Sequence, residues 1–282
     1  DRSLVGSEMC IRDRNYPMGK FPSNVQLKDL ISFPYIKSLK SYKKLTKSIF
    51  KSAEMRQIFE RYTTYVGSSP EKTPGMFFII PFIEFAFGSW YIKGGIYSLI
   101  KSLEKLLIKN NVEILRNTEI KKIKVTNNEV CGVETDKEFI EGDIIINNSD
   151  VSNLNQFTNK NNEENIDDYS LSGLIMLLGI KKKLHSEHHN ILFSNNYNKE
   201  FKDLFVKKIF PDDPTVYLCN PVVTDKEVAP SGCSSLFIMA NSPATLEGWS
   251  KKDIGEAKKK ILNKLSYYGF QIDSRDIEIC LL

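Results

Sequence analysis

A glycine pair, Gly94-Gly95, stands directly before the most regular helical pattern in the sequence, and that pattern runs on into a strand-like stretch. Ile96, Leu99, Ile100, Leu103, Leu106 and Leu107 recur at helical spacing and predict one broad apolar face over residues 94–110. Asn110-Asn111 is expected to close the helix, because Asn tolerates the left-handed conformation. A tight turn feeding a helix leaves free backbone N–H groups at the positive end of the dipole, which suits a phosphate. The same turn also serves simply to pack a helix against a sheet. No GxGxxG occurs anywhere in the 282 residues to decide between the two.

Around this feature the chain alternates strand and helix without a strict βαβ rhythm. Strands are expected at VEIL, TEIKKIKVT, EVCGVET and DIIINN, the last apolar and β-branched as in a strand buried on both faces. Asn127-Asn128 falls between two alternating runs and reads as a hairpin turn. Residues 23–62 read as helical. Val25, Leu27, Leu30 and Ile31 form one pattern, and Leu39, Tyr42, Leu45 and Ile49 a second, with Pro34 between them. A further helical turn, AEMRQIFERY, puts Met55, Ile58, Phe59 and Tyr62 on one side. Downstream, LSGLIMLLGIKKK, HHNILF, TVYLCNP, SSLFIMAN and IEICLL read as strands, with helices near 197–206 and 253–268. That order favours an α+β unit with a mixed or antiparallel sheet. NKNNEENIDD, residues 159–168, reads as an exposed loop.

The most apolar stretch is MFFIIPFIEFAFGSWYI, residues 76–92. Pro81 and Glu84 interrupt it, and it falls short of the roughly 20 residues of a spanning helix. It reads as a buried core segment, the wall of a lipid-binding tunnel, or a surface dipping into a membrane interface. With 39 basic and 35 acidic residues the net charge is +4, too mild to suggest a nucleic-acid protein. Five scattered Cys without a CxxC pair argue against a disulfide framework or zinc site and for a reducing compartment. The expected location is cytoplasmic. The chain starts with Asp, opens with SLVGSEMCIRDR and stops at IEICLL; residues 1–14 read as a foreign leader and the whole as a fragment lacking both termini.

Few residues stand out chemically. His185, His188 and His189 cluster with Glu187, but adjacent histidines on a strand point to opposite faces, and the expectation is that no metal is bound. There is no GxSxG and no HExxH. Arg61 could bind an oxygen of a phosphate or quinone, though a solvated helix face is the ordinary reading, and Arg56 is alike. Glu84 is an isolated acid in an apolar run: burial would poise it as a proton donor, and an exposed turn residue is the alternative.

RYTTYVGSSPEKTPGMFFIIPFIEFAFGSWYIKGGIYSLIKSLEKL, VEILRNTEIKKI, DIIINNSDV, YSLSGLIMLLGIKKK, EHHNILFSNNYNKEF and DDPTVYLCNPVVTDKEVAPSGCSSLFIMANSP resemble, in register, the bacterial-type phytoene desaturase (carotenoid desaturase) family of FAD-dependent, amine-oxidase-like oxidoreductases. The resemblance spans roughly residues 25–282. It implies an α/β and α+β architecture: part of a Rossmann-like FAD domain, plus a mixed-sheet substrate domain with a helical lid. The division it implies is 15–92 helical lid and substrate entry, 93–150 part of the FAD domain, and 151–282 substrate domain. Gly94, Gly95, Ile120 and Asn148 become the cofactor-binding candidates, with Asp150 beside Asn148 and Ser149 where Ala is common. Glu84 and Arg61 are the catalytic candidates.

The implied reaction converts a C–C single bond of a long polyene such as phytoene to C=C. Flavin takes a hydride, and quinone or oxygen takes the electrons. The implied partners are the apolar polyene, held by apolar area alone, and a membrane surface met by Phe, Ile and Trp with Lys37, Lys40, Lys43 and Lys44 nearby. The family's GxGxxG and its closing glycine-rich segment are missing from the sequence, so weak FAD binding and an inactive fragment are expected. Two other readings stay open: a related flavin oxidoreductase on another isoprenoid or an amine, and a lipid-binding remnant without redox activity.

Overall fold

A computed structural model describes residues 40–149, 157, 169–245 and 248–281. The expected leader at 1–14, the helical patterns before residue 40, Asp150 and the 159–168 loop lie outside the described residues. The chain divides into two compact units, Asp1–Ile96 with Ser170–Leu282, and Tyr97–Tyr169.

The first unit opens with α1 (Tyr42–Ile49) and α2 (Ala53–Glu60). Tyr42, Leu45 and Thr46 are buried, as the 42/45 spacing predicts, whereas Ile49 of the same pattern is half exposed at the end of the helix. Ser52 caps α2 by accepting from Met55 N–H. The two helices are joined inside by Thr46 Oγ1 donating to Glu60 Oε1 at 3.0 Å. Periodicity pointed to Met55, Ile58, Phe59 and Tyr62 as the inner face. Met55 and Ile58 are exposed instead, while Glu60 and Arg61 are buried. Glu60 is turned inward by its bond from Thr46, and from Arg61 to Val66 the chain tightens into a 3₁₀ turn, which takes Arg61 and Tyr62 off the 3.6-residue period.

α3 (Ile79–Phe87) is built from the apolar run. Phe59 holds it to α2, its ring 5.8 Å from Phe85 and 5.5 Å from Phe78. Of α3 only Pro81 is buried. Phe82, Phe85 and Phe87, with Trp90 beyond, are each more than half exposed. The run is therefore a surface element rather than a buried core segment.

The second unit holds α4 (Tyr97–Lys109) and a three-stranded antiparallel sheet. Its strands are β1 (Ile120–Thr126), β2 (Glu129–Thr135) and β3 (Phe139–Glu141), in that order. The helix begins at Tyr97 rather than at residue 94, because Gly94 and Gly95 both take φ of 81°, outside helical space. Asn111 closes it at φ 57°, as expected. Asn127 and Asn128 at φ 51° and 67° make the β1–β2 hairpin turn. α4 has no buried residue, so its apolar face is uncovered. VEIL forms no strand, and DIIINN, expected to be buried on both faces, is unpaired with Ile144 83% and Ile146 88% exposed. Strand propensity alone does not make a strand: its backbone groups need a neighbour, and none of the described strands pairs with this run.

The first unit resumes with β4 (Ser172–Ile180), β5 (His189–Leu192), α5 (Tyr197–Phe205), β6 (Val216–Cys219), β7 (Ser234–Ser242), α6 (Lys251–Tyr267) and β8 (Ile277–Leu281). The strands form one antiparallel sheet in the order β5-β6-β7-β4-β8. One face buries Met176, Leu178, Ile180, Val216, Leu218, Leu236, Ile238 and Ala240 against Ala257, Ile261 and Leu265 of α6. Those three helical positions are four apart, one stripe of α6. Ser250 and Asp253 start α6 with a reciprocal capping box. Each fully buried Leu or Ile contributes about 1.5–3 kcal/mol of transfer free energy.

α5 is fastened to the sheet by Glu200, whose carboxylate accepts from Thr215 N–H at 2.8 Å and Thr215 Oγ1 at 2.6 Å. Burial raises the Glu200 pKa above the usual carboxylate range against those hydrogen bonds.

Two measurements test this account. Ile238→Ala, at a fully buried position, is expected to lower stability by about 2–5 kcal/mol in urea unfolding. Glu200 binds its proton more tightly folded than unfolded, so the stability it contributes is present below the ordinary carboxylate pKa and lost as pH rises through the raised one. Glu200→Gln mimics the protonated acid. Its stability relative to the parent should rise across that window in denaturation curves taken at several pH values, and a flat difference would show that Glu200 does not titrate there.

Candidate functional site

An antiparallel strand sends alternate side chains to opposite faces. With even positions of β4, β6 and β7 under α6, the odd ones form the other face: Ile175 and Leu177, Tyr217 and Cys219, Phe237 and Met239, with Ile191 of β5. This second face is also apolar, and it is open. Ile175, Leu177 and Ile191 are each more than a third exposed. A shallow pocket of about 260 Å³ lies there, lined by Leu177, Cys219, Pro221 and Phe237 among others. The sequence of β4 is apolar at almost every position, so pattern alone does not say which face is covered.

Polar groups gather around this face. Arg61 is not on a solvated helix face, as the ordinary reading of the sequence had it: it is only 8% exposed, and its Nη1 has no hydrogen-bond partner among the described residues. The buried Tyr197 hydroxyl lies beside it, outside good hydrogen-bonding geometry, and the Arg61 guanidinium, by its charge and this polar contact, opposes the rise that burial imposes on the Tyr197 pKa. The same guanidinium acts on Glu200, Tyr65 and Tyr217. A buried cation with an unpaired Nη1, beside a buried hydroxyl, can receive an oxygen-bearing group.

Glu84 sits within α3, half-buried, and its Oε1 accepts from Tyr62 OH at 2.9 Å. It is neither an exposed turn residue nor fully enclosed. Burial first, and this bond second, push the Tyr62 hydroxyl well above its ordinary pKa. Tyr65, stacked on Tyr62 with ring centroids 5.7 Å apart, feels both Glu84 and Arg61. The two catalytic candidates are thus joined through tyrosines, a link with no signature in the sequence.

Of the cofactor candidates, Gly94 and Gly95 lie in the first unit and Ile120 and Asn148 in the second. Gly94 N–H donates to Asp225 Oδ2 at 2.7 Å, and Gly95 N–H to the Ile92 carbonyl at 2.8 Å. Asp225 also accepts from Tyr91 OH and Glu227 N–H, and these bonds, led by that from Gly94, hold its carboxyl below the usual range. Both glycine amides are therefore engaged, one of them by an anion. They do not fit a phosphate, and the pair serves as a turn. Ile120 opens β1, and Asn148 is exposed beside the Asn147–Ser149 turn. Lys43 is held by Glu71 and Asn198 rather than free to meet a surface.

At the other edge of the open face, His188, His189 and Cys219 converge: one ligand atom from each lies within 4.8 Å of the others. The expectation of opposed histidines fails because β5 begins at His189, leaving His188 outside the pleat. Their rings lie 4.3 Å apart. Burial lowers the His188 pKa, with His189 adding to the effect.

No family model matches the chain. It is 36% identical over 249 residues to a 1-hydroxycarotenoid 3,4-desaturase of Flavobacterium sp. (strain P99-3), covering 86% of this chain and 51% of that protein. It is 31% identical to a 4,4'-diaponeurosporene oxygenase of Staphylococcus aureus (strain bovine RF122 / ET3-1), and 27% identical to a 4,4'-diapolycopene oxygenase of Methylomonas sp; each match covers 86% of this chain and 50% of the relative. An oxidoreductase from Methanosarcina mazei superposes with a TM-score of 0.62 at 16% identity, over 90% of this chain and 58% of that one. A protein from Pyrococcus furiosus gives 0.57 at 16% identity, over 87% and 58%. These two likenesses speak to the fold alone. The chain is thus a homologue of the carotenoid desaturases and oxygenases, spanning about half the length of the curated relatives it matches.

Proposed function

We propose that the chain is the polyene-holding part of an FAD-dependent carotenoid desaturase acting on a phytoene-like precursor, with quinone or oxygen as final acceptor. The observation that carries this reading is the open sheet face of Ile175, Leu177, Ile191, Phe237 and Met239 in a homologue of carotenoid enzymes. A hydrocarbon polyene offers no hydrogen bonds, so only apolar area, at roughly 25 cal/mol per Å², can hold it. The sheet face supplies that area, and the Arg61, Tyr62, Tyr65 and Glu84 group supplies polar atoms near it. The Gly94-Gly95 turn does not offer the phosphate site that FAD needs. The uncovered apolar face of α4 and the exposed Ile144 and Ile146 support a reading in which the second unit is one part of a larger FAD domain.

Such a substrate must leave a bilayer. No helix among the described residues is long and apolar enough to cross one. α3 with Phe82, Phe85, Phe87 and Trp90 exposes an aromatic surface suited to dip into an interface. The oxygenase names among the relatives favour one second reading, oxygen insertion on a similar polyene, which product analysis separates. The engaged glycine amides favour another, a lipid-binding module without redox activity, which a flavin-loaded protein would exclude.

In a host supplied with phytoene, the full enzyme should shift the pigment absorption to longer wavelength; an unshifted spectrum overturns the desaturase reading. Glu84→Gln is expected to cut turnover by about 10²-fold or more if the carboxyl moves a proton, and an unchanged rate removes Glu84 from the reaction. Replacing Phe85 and Trp90 together by Ser should weaken binding to anionic vesicles at least tenfold in flotation assays, since each loses apolar area that the bilayer would cover.

A further inference from the structure

We propose that His188, His189 and Cys219 form a binding site for a zinc-class transition-metal ion at the edge of the open sheet face. His189 on β5 and Cys219 on β6 are register partners, so their side chains rise side by side on that face. His188 joins them from the residue just before the strand, its ring lying 4.3 Å from that of His189. Two imidazoles and a thiol are the donor set that borderline-soft ions take, and hard cations such as magnesium or calcium do not. Around a tetrahedral zinc ion, ligand atoms stand about 3.5 Å apart. The three donors here lie within 4.8 Å before any ion is present, so side-chain rotation of about 1 Å closes the site.

The surroundings are arranged as such a site requires. His188 Nδ1 is 2.6 Å from Thr224 Oγ1, and His189 Nδ1 is 2.8 Å from Tyr217 OH. In the tautomer where each hydroxyl oxygen accepts from Nδ1–H, the lone pair of each ring resides on Nε2, and an ion taken there would leave both contacts in place. The backbone under the ligands is fixed, because Asn220 N–H donates to the His188 carbonyl at 2.8 Å and the Asn190 amide to the Leu218 carbonyl. The Tyr91 ring meets His188 edge-on at 5.3 Å. Three protein ligands leave a fourth position open to solvent or a small ligand, because His189 is exposed. Among the described residues this is the one group in which three such donors converge. The alternative is that the histidines satisfy Thr224 and Tyr217 at a strand edge, with Tyr217 also bonded to Cys219, and no ion is taken.

The test uses the full chain, purified free of metal and titrated with cobalt(II). The expected result is one ion per chain, a thiolate-to-cobalt charge-transfer band in the near ultraviolet, and displacement by zinc. Cys219→Ser should abolish that band and His189→Ala should weaken binding at least tenfold, whereas Cys233→Ser should change neither. Absence of the band, or its survival in Cys219→Ser, overturns the site. A second measurement needs no variant: alkylation of the parent chain mapped by mass spectrometry. Zinc should protect Cys219 several-fold and leave Cys233 reacting as before. Equal alkylation of Cys219 with and without zinc also overturns the proposal.

Discussion

The packing of α6 on one face of the five-stranded sheet governs the rest of the first unit. Ala257, Ile261 and Leu265 can meet Met176, Leu218 and Ile238 only if the even side of β4 and β7 faces the helix. A one-residue slip of register would exchange the faces wholesale. Because the register is set this way, Ile175, Leu177, Phe237 and Met239 are left on the other side, and so is Cys219. The apolar face and the His189–Cys219 pair beside it are placed by that choice.

An open apolar sheet face ordinarily invites association, since the water removed by covering it is released. Here the face has polar neighbours on both sides. Arg61, Tyr62, Tyr65 and Glu84 come from the α2–α3 segment, and His188, His189 and Cys219 from the β5–β6 edge. An apolar ligand on the face would lie between a buried cation and a group of soft donors. Burial gives both groups their electrostatic character: Tyr62 and Tyr197 keep their protons, and the Cys219 thiol is pushed up as well.

The second unit is different in kind. Its three-stranded sheet is held by the Asn127-Asn128 turn and by Gly132, where a Cβ would lie 2.2 Å from the Ile140 carbonyl oxygen, so no side chain fits. Its helix and its DIIINN run carry apolar side chains that nothing among the described residues covers. Homology over about half of each relative gives that exposure a meaning in the proposed enzyme, where further chain would bury it.

By itself the sequence determined most of the elements. Local rules placed α1, α4, α5, α6, the hairpin, and every strand of the five-stranded sheet, because turn residues and periodicity act over a few neighbours. The resemblance carried by blocks such as EHHNILFSNNYNKEF and DDPTVYLCNPVVTDKEVAPSGC likewise points to the carotenoid enzymes. Tertiary structure decided what faces what. Arg61 looked solvated and is buried, because a 3₁₀ turn shifts its phase and Tyr197 and Glu200 arrive from over 130 residues away. The glycine pair looked like a phosphate turn, and its amides are engaged by Asp225 and Ile92, the first of these far along the chain. The histidines looked opposed and converge, since the strand begins one residue later than the pattern suggests. In each case the deciding partner is distant in sequence or set by a shift of one residue, and local periodicity contains no term for either.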